Sequence, residues 1–211
     1  MKKYLGITVL LAAWGLVLPA WAVASSPDTL VDNTAQEVLT IVRQDKDLQS
    51  GNTAKILALV EAKILPHFNF TRMTRLAMGK NWGKATPEQQ QELVNEFRTL
   101  LVRTYSNALT TYKDHTIKVE PLKNNATDTD TTVRTKVIDG GQQPVPIDYS
   151  MEKTSDGWKV YDVTVAGVSL VTNYRSTFNS QVRDGGVDKL IKTLVEKNRS
   201  LVAADKKAST N

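Results

Sequence analysis

The 211-residue sequence has no cysteine and only two histidines. The first absence excludes a disulfide framework, a thiolate zinc site, a cysteine nucleophile and a lipidated N-terminal cysteine. His67 and His115 are 48 positions apart with no neighbouring pattern of ligands, so no metal site is expected. Nucleotide and nucleophile motifs are missing as well. Residues 79–85 look like a phosphate loop, but the glycine spacing is one residue short and Ala85 replaces the hydroxyl that would hold magnesium. Gly167-Val168-Ser169-Leu170-Val171 lacks the second glycine of a nucleophile elbow, which leaves Ser169 a helix-capping role. Any chemistry must therefore come from other side chains.

What is present is an average globular composition, 41% hydrophobic and 23% charged, enough for one packed domain. Lys2 and Lys3 precede an apolar run of 14 residues, 5–18, followed by Pro19 and the small-residue stretch around Ala22 and Ala24. The run is shorter than the roughly 20 residues that span a bilayer. Residues 1–24 therefore read as a secretory signal peptide cleaved after Ala22 or Ala24, and the mature chain as exported, most simply to the periplasm. Without Lys2 and Lys3, 25 basic residues face 22 acidic ones, a net charge of +3. That excess does not argue for nucleic acid.

Residues 25–204 read as a single domain and 205–211 as a polar, flexible tail. Apolar residues at three-to-four spacing predict a helix over 28–48 and a second, capped by Thr53 and ended by Pro66. A third helix should start from Asn69 and stop at Gly79. Thr86-Pro87-Glu88-Gln89 is a capping box with proline at the first helical position. The stripe that follows, Leu93 to Tyr112, predicts a helix of about 26 residues, roughly 39 Å long. Two more helices, 168–183 and 187–204, flank Gly185-Gly186.

Between them the pattern becomes β-branched and alternating over 116–121, 131–139, 144–152 and 158–166. Turn signals at Asn124-Asn125, Asp139-Gly140-Gly141 and Ser155-Asp156-Gly157 are short enough to make an antiparallel meander of four strands. Val145, Ile147, Tyr149 and Met151 share one face of the third strand. The fourth strand carries bulk on both sides, Trp158 and Val160 against Tyr161, Val163 and Val165, which implies that both sides are covered. The fold class is therefore α+β.

A small cavity enzyme with an Asp base and a Tyr would have to draw on Asp148, Asp162, Tyr149 and Tyr161. Adjacent Asp and Tyr point to opposite faces of a strand, and Asp162 is better read as capping a helix or pairing with a cation such as Arg175. The chain is expected not to be an enzyme.

Several separated motifs occur together: Leu65-Pro66-His67-Phe68-Asn69-Phe70, residues 79–82, Ala85-Thr86-Pro87-Glu88-Gln89, residues 97–105, Tyr161-Asp162-Val163, and 167–178 with Asn173-Tyr174-Arg175. In this order they resemble the MlaC family, the periplasmic phospholipid-binding components of the Mla lipid-asymmetry system, also called the toluene-tolerance auxiliary family. Asn69 stands where that family often has Asp, and both cap helices. The resemblance implies a four-stranded antiparallel sheet wrapped by about six or seven helices around a deep apolar lipid cavity. It also implies a soluble carrier that shuttles phospholipid between an outer-membrane Mla lipoprotein–porin complex and an inner-membrane Mla ABC transporter complex, maintaining outer-membrane lipid asymmetry. Phospholipid would be its cargo, with no cofactor. A chaperone for lipidated proteins and the cavity enzyme are the alternatives.

Hiding two acyl chains is worth on the order of 20 kcal/mol at about 0.8 kcal/mol per methylene, so a carrier needs a large apolar cavity. The candidates to line it are Phe97, Leu101 and Tyr105 from the long helix, Val133, Val137, Val145, Ile147, Tyr149 and Met151 from the sheet, and Val168, Val171, Tyr174 and Phe178 behind. Lys113, Lys118, Arg134 and Lys136 are candidates for a docking surface.

Overall fold

The computed structural model describes residues 25–111, 114–122, 128–139 and 143–208. The expected signal peptide, Tyr112, Lys113, the Asn124-Asn125 turn, Gly140-Gly141 and the last three residues lie outside the described residues.

Two helices replace the single one expected over 28–48. Helix α1, Pro27–Gln44, ends because Asp45 is extended and its carboxylate accepts from the N–H groups of Asp47 and Leu48 at 2.8 and 3.2 Å, starting α2, Lys46–Gln49. Helix α3, Thr53–Leu59, is capped by Asn52 rather than Thr53, with the side-chain oxygen accepting from Lys55 at 3.1 Å. The chain then widens into a π-helical turn, Val60–Ile64, and tightens into a 3₁₀ turn, Leu65–His67, because Pro66 has no N–H to continue the helical ladder. Helix α4, Phe70–Met78, has its expected Asn69 cap and stops at Gly79, where φ is +53°.

Helix α5, Pro87–Tyr105, begins with both hydrogen bonds of the capping box formed. It is 19 residues long instead of about 26. The Ser106 hydroxyl donates back to the Val102 carbonyl, a bond that competes with helix continuation, and Ser106-Asn107 form a turn before the short helix α6, Ala108–Thr111.

The sheet is an antiparallel meander of five strands rather than four: β1 Thr116–Val119, β2 Asp130–Ile138, β3 Val145–Thr154, β4 Gly157–Val165 and β5 Val168–Ser169. The extra strand arises because Ala166 (φ +50°) and Gly167 (φ +82°) make a two-residue reversal that folds Val168–Ser169 back on Thr164 and Val165. A bulge interrupts β4. Ser150 pairs with Asp162 but Met151 pairs with Val160, which leaves Tyr161 without a partner in β3.

Helix α7, Leu170–Ala208, is broken at Gly185-Gly186 and runs through Asp205–Ala208, where the sequence predicts a tail. Arg103 holds that last turn, its Nη1 donating to Asp205 Oδ2 at 2.6 Å. The largest core cluster joins α4, α5 and α7 through Phe97, Phe178, Met73 and Leu190. A second lies between α1 and the sheet around Val31, Val133, Met151, Trp158 and Val160. A third packs α1 to α2 and α3 around Val42 and Ile56.

Candidate functional site

One face of the sheet is only partly filled by helices. Between it and the helices lie two apolar pockets, of about 230 and 520 Å³, that share Ile64, Phe68, Ala108, Leu109, Ile147 and Tyr149 as walls. The smaller runs under α1, against Leu30, Val31, Ala35, Val38 and Leu39, with Val137, Met151 and Val160 from the sheet. The larger runs between Met73, Leu101, Tyr105 and Ser106 on the helical side and Val163, Val165 and Val168 on the other, within the size range of small-molecule sites, about 300–1,000 Å³. Among the described residues, no Asp, Glu, Lys or Arg lines either pocket. Val168 (57% exposed) and Tyr105 (40%), the exposed large hydrophobic residues among those described, both border the larger pocket and mark its opening to solvent.

The bulge explains this face. Residues 160 and 163 would point to opposite sides of a regular strand, but with Tyr161 inserted, Trp158, Val160 and Val163 all join the cluster under α1. Tyr161 packs instead against the helical core on the other side, with the Arg72 guanidinium 3.6 Å from its ring centre.

Of the residues proposed from sequence, Leu101, Tyr105, Val137, Ile147, Tyr149, Met151 and Val168 stand on pocket walls. Phe97, Val171, Tyr174 and Phe178 belong to the helical core, where Phe97 meets Tyr174 and Phe178 edge-on at 5.0 and 5.1 Å, and Val133 is buried beneath α1. Val145 is half-buried and touches neither pocket. The walls that the sequence left unassigned come largely from α1 and from 60–70, whose apolar residues carry the same helical periodicity as core, with others from Ala108 and Leu109 on α6, Ile117 on β1 and Val160, Val163 and Val165 on β4. Lys118, Arg134 and Lys136 are exposed on β1 and β2.

Few polar groups reach the pockets. Tyr149 lies deep in the protein, yet keeps accessible surface because it faces both cavities, and burial pushes its phenol pKa upward against a hydrogen bond with Thr135. Tyr174 is pushed up to about 12 by burial and by Tyr105. Burial, then Lys159, holds the His67 imidazole below its ordinary value, with Glu37 opposing. Asp162 acts as a cap: Oδ2 accepts from the Ser169 hydroxyl at 2.6 Å and Oδ1 from the Val171 N–H at 3.1 Å, while Ser169 Oγ accepts from the Thr172 N–H at 3.0 Å. Arg175 is not its partner, since Nε donates to the Leu76 carbonyl at 3.0 Å. No His, Asp or Glu cluster suited to a metal ion occurs among the described residues.

The model of the family described as "MlaC protein" matches residues 32–196. The chain is 29% identical over 184 residues to the toluene tolerance protein ttg2D of Pseudomonas putida, covering 87% of this chain and 84% of that protein. It is 23% identical over 194 residues to the intermembrane phospholipid transport system binding protein MlaC of Haemophilus influenzae, covering 90% and 91%. A solved structure of a phospholipid-binding protein from Ralstonia solanacearum, in complex with a phospholipid, superposes with a TM-score of 0.78 at 39% identity, covering 84% of this chain and 99% of that one.

Proposed function

The chain belongs to the MlaC family, and on that premise we propose that it is a periplasmic carrier of phospholipid, moving it between an outer-membrane Mla lipoprotein–porin complex and an inner-membrane Mla ABC transporter complex. The observation that carries this reading is the pair of adjoining, uncharged pockets in a chain 39% identical to a protein found with phospholipid bound. A carrier must accept acyl chains without meeting a buried charge, and hydrocarbon transfer supplies the affinity. The glycerophosphate head would remain at the opening between Tyr105 and Val168, in contact with water.

Carriage requires release as well as binding. With no nucleotide motif in the chain, the partner complexes would widen the opening by shifting helices against the sheet, and lipid would move by differential affinity between sites. Residues 1–24 would be removed on export. No catalytic role is assigned: Asp162, one of the two carboxylates on which an enzyme would draw, is engaged in capping α7.

The test is to express the full chain with its leader, purify it from the periplasm without detergent, and measure its native mass before and after organic extraction. A mass excess equal to one or two diacyl phospholipids supports the carrier. A protein that is empty and takes up no lipid from vesicles overturns it, whereas preference for acylated polypeptide over free phospholipid identifies a chaperone.

A further inference from the structure

Residues 66–69 carry the chain from the pocket side of the sheet around the edge of β4 to its other side. β3 holds one edge of β4 at Val160; on the other, Phe68 forms a parallel bridge to Val160, and the Asn69 N–H donates to the Val160 carbonyl at 2.8 Å. This crossing is also pocket wall, because Phe68 lines both pockets, His67 the smaller and Phe70 the larger.

The crossing is fastened by Arg72, which bonds to the face of the sheet opposite pocket-lining Met151. Its Nη1 donates to Glu152 Oε2 on β3 at 2.7 Å, its Nη2 to Asp130 Oδ1 on β2 at 2.8 Å, and its plane lies over Tyr161 of β4. Asn69, which accepts from the Arg72 N–H, donates to the second oxygen of Glu152 at 2.8 Å. Glu152 alternates with pocket-lining Met151, so one side chain of each neighbouring pair serves the wall and the other the clamp. A planar guanidinium is suited to such a role, since it satisfies two carboxylates in fixed directions while stacking on a ring.

We propose that Arg72 is a positioning residue for lipid retention: held by Glu152, Asp130 and Tyr161, it keeps the Phe68 crossing closed against β4 and so sets how slowly a bound lipid leaves. The inference rests on the carrier reading.

The test loads the protein with a fluorescent phosphatidylethanolamine and follows release to phosphatidylcholine vesicles for wild type, Arg72→Met, Arg72→Lys, Glu152→Gln and Asn198→Ala. Asn198 is a stability control in the helical core, where its amide donates to Glu96. Arg72→Met should speed release on the order of tenfold, as expected when one partner of a sheltered charge pair is removed, with Arg72→Lys between it and wild type. Asn198→Ala should lower the melting temperature without changing release. Release of Arg72→Met at the wild-type rate, or equal acceleration by Asn198→Ala, overturns the inference. If Arg72→Met does not fold, Glu152→Gln is judged by the same outcomes. A wild type that cannot be loaded overturns the carrier reading itself, whereas a wild type that loads beside variants that release no faster overturns only the role of Arg72.

Discussion

Val160 and Val163, three positions apart on β4, face the same side of the sheet. Both join the cluster beneath α1, one lining the smaller pocket and the other the larger. Their agreement depends on Tyr161 being left out of the pairing, so deleting it would leave Val160 and Val163 on one face of a regular strand and remove only the Tyr161 ring from the helical core and from Arg72. Losing that partly buried ring should cost roughly 1–3 kcal/mol. A lower urea midpoint for the deletion, with Tyr161→Phe near wild type, is the expected result. A deletion variant as stable as wild type would show that the helical core does not depend on the Tyr161 ring.

The same bulge marks where sequence reasoning stops. The α+β class, the four longer strands and the capping box at Thr86 were legible because periodicity and cap chemistry are local signals. A bulge is not local: bulk on both sides of 158–165 reads equally well as a strand covered twice, and only the pairing of Met151 with Val160 resolves it. β5 was missed for a related reason, since two residues are too few to alternate and the reversal depends on Ala166 at positive φ. For the pockets, Leu101 and Phe97 lie on one helical stripe, yet the first borders a cavity and the second is solid core. Hydrophobic pattern says that a side chain avoids water, not what it touches instead.

Asp162 should matter for stability and not for chemistry. Asp162→Ala removes the acceptor of the Ser169 hydroxyl and the Val171 N–H at the start of α7, a loss of about 1–2 kcal/mol. For a chain of this size the melting temperature should fall by roughly 2–8 °C. Lipid content measured on the purified variant should stay at the wild-type level. Unchanged melting with lost lipid would instead place Asp162 in the binding site.

Leu109 sits on the short helix α6 and faces both pockets. Leu109→Trp adds bulk to space rather than to packed core, so it should displace ligand while the protein stays folded. Phosphorus analysis of the purified variant should show bound phospholipid reduced on the order of tenfold, equivalent to about 1.4 kcal/mol, with a circular dichroism spectrum like that of wild type. Full occupancy in a folded variant would mean that lipid does not use the junction of the two pockets.

His67 gives stability a pH dependence whose sign follows from its surroundings. It is the ionisable histidine on a pocket wall, and its pKa is lowered from the ordinary 6.5 first by burial and then by Lys159, with Glu37 partly opposing. Lys159 itself donates to the Pro66 carbonyl at 2.8 Å, and Glu37 is paired with Lys63 at 2.6 Å, so neither is free to swing toward an imidazolium. The unfolded chain takes up the proton more readily than the folded one. The His67 contribution is therefore fully present above about 6.5 and is lost as pH falls through the depressed folded value. Urea midpoints at about pH 7.5 and about pH 5 should differ more for wild type than for His67→Gln, a comparison that isolates the His67 contribution. An acyl chain in the smaller pocket would exclude water from the same imidazole and lower its pKa further, so lipid binding should release a proton and weaken in acid. Equal lipid retention at both pH values by wild type and His67→Gln would show that acyl chains do not come close to this side chain.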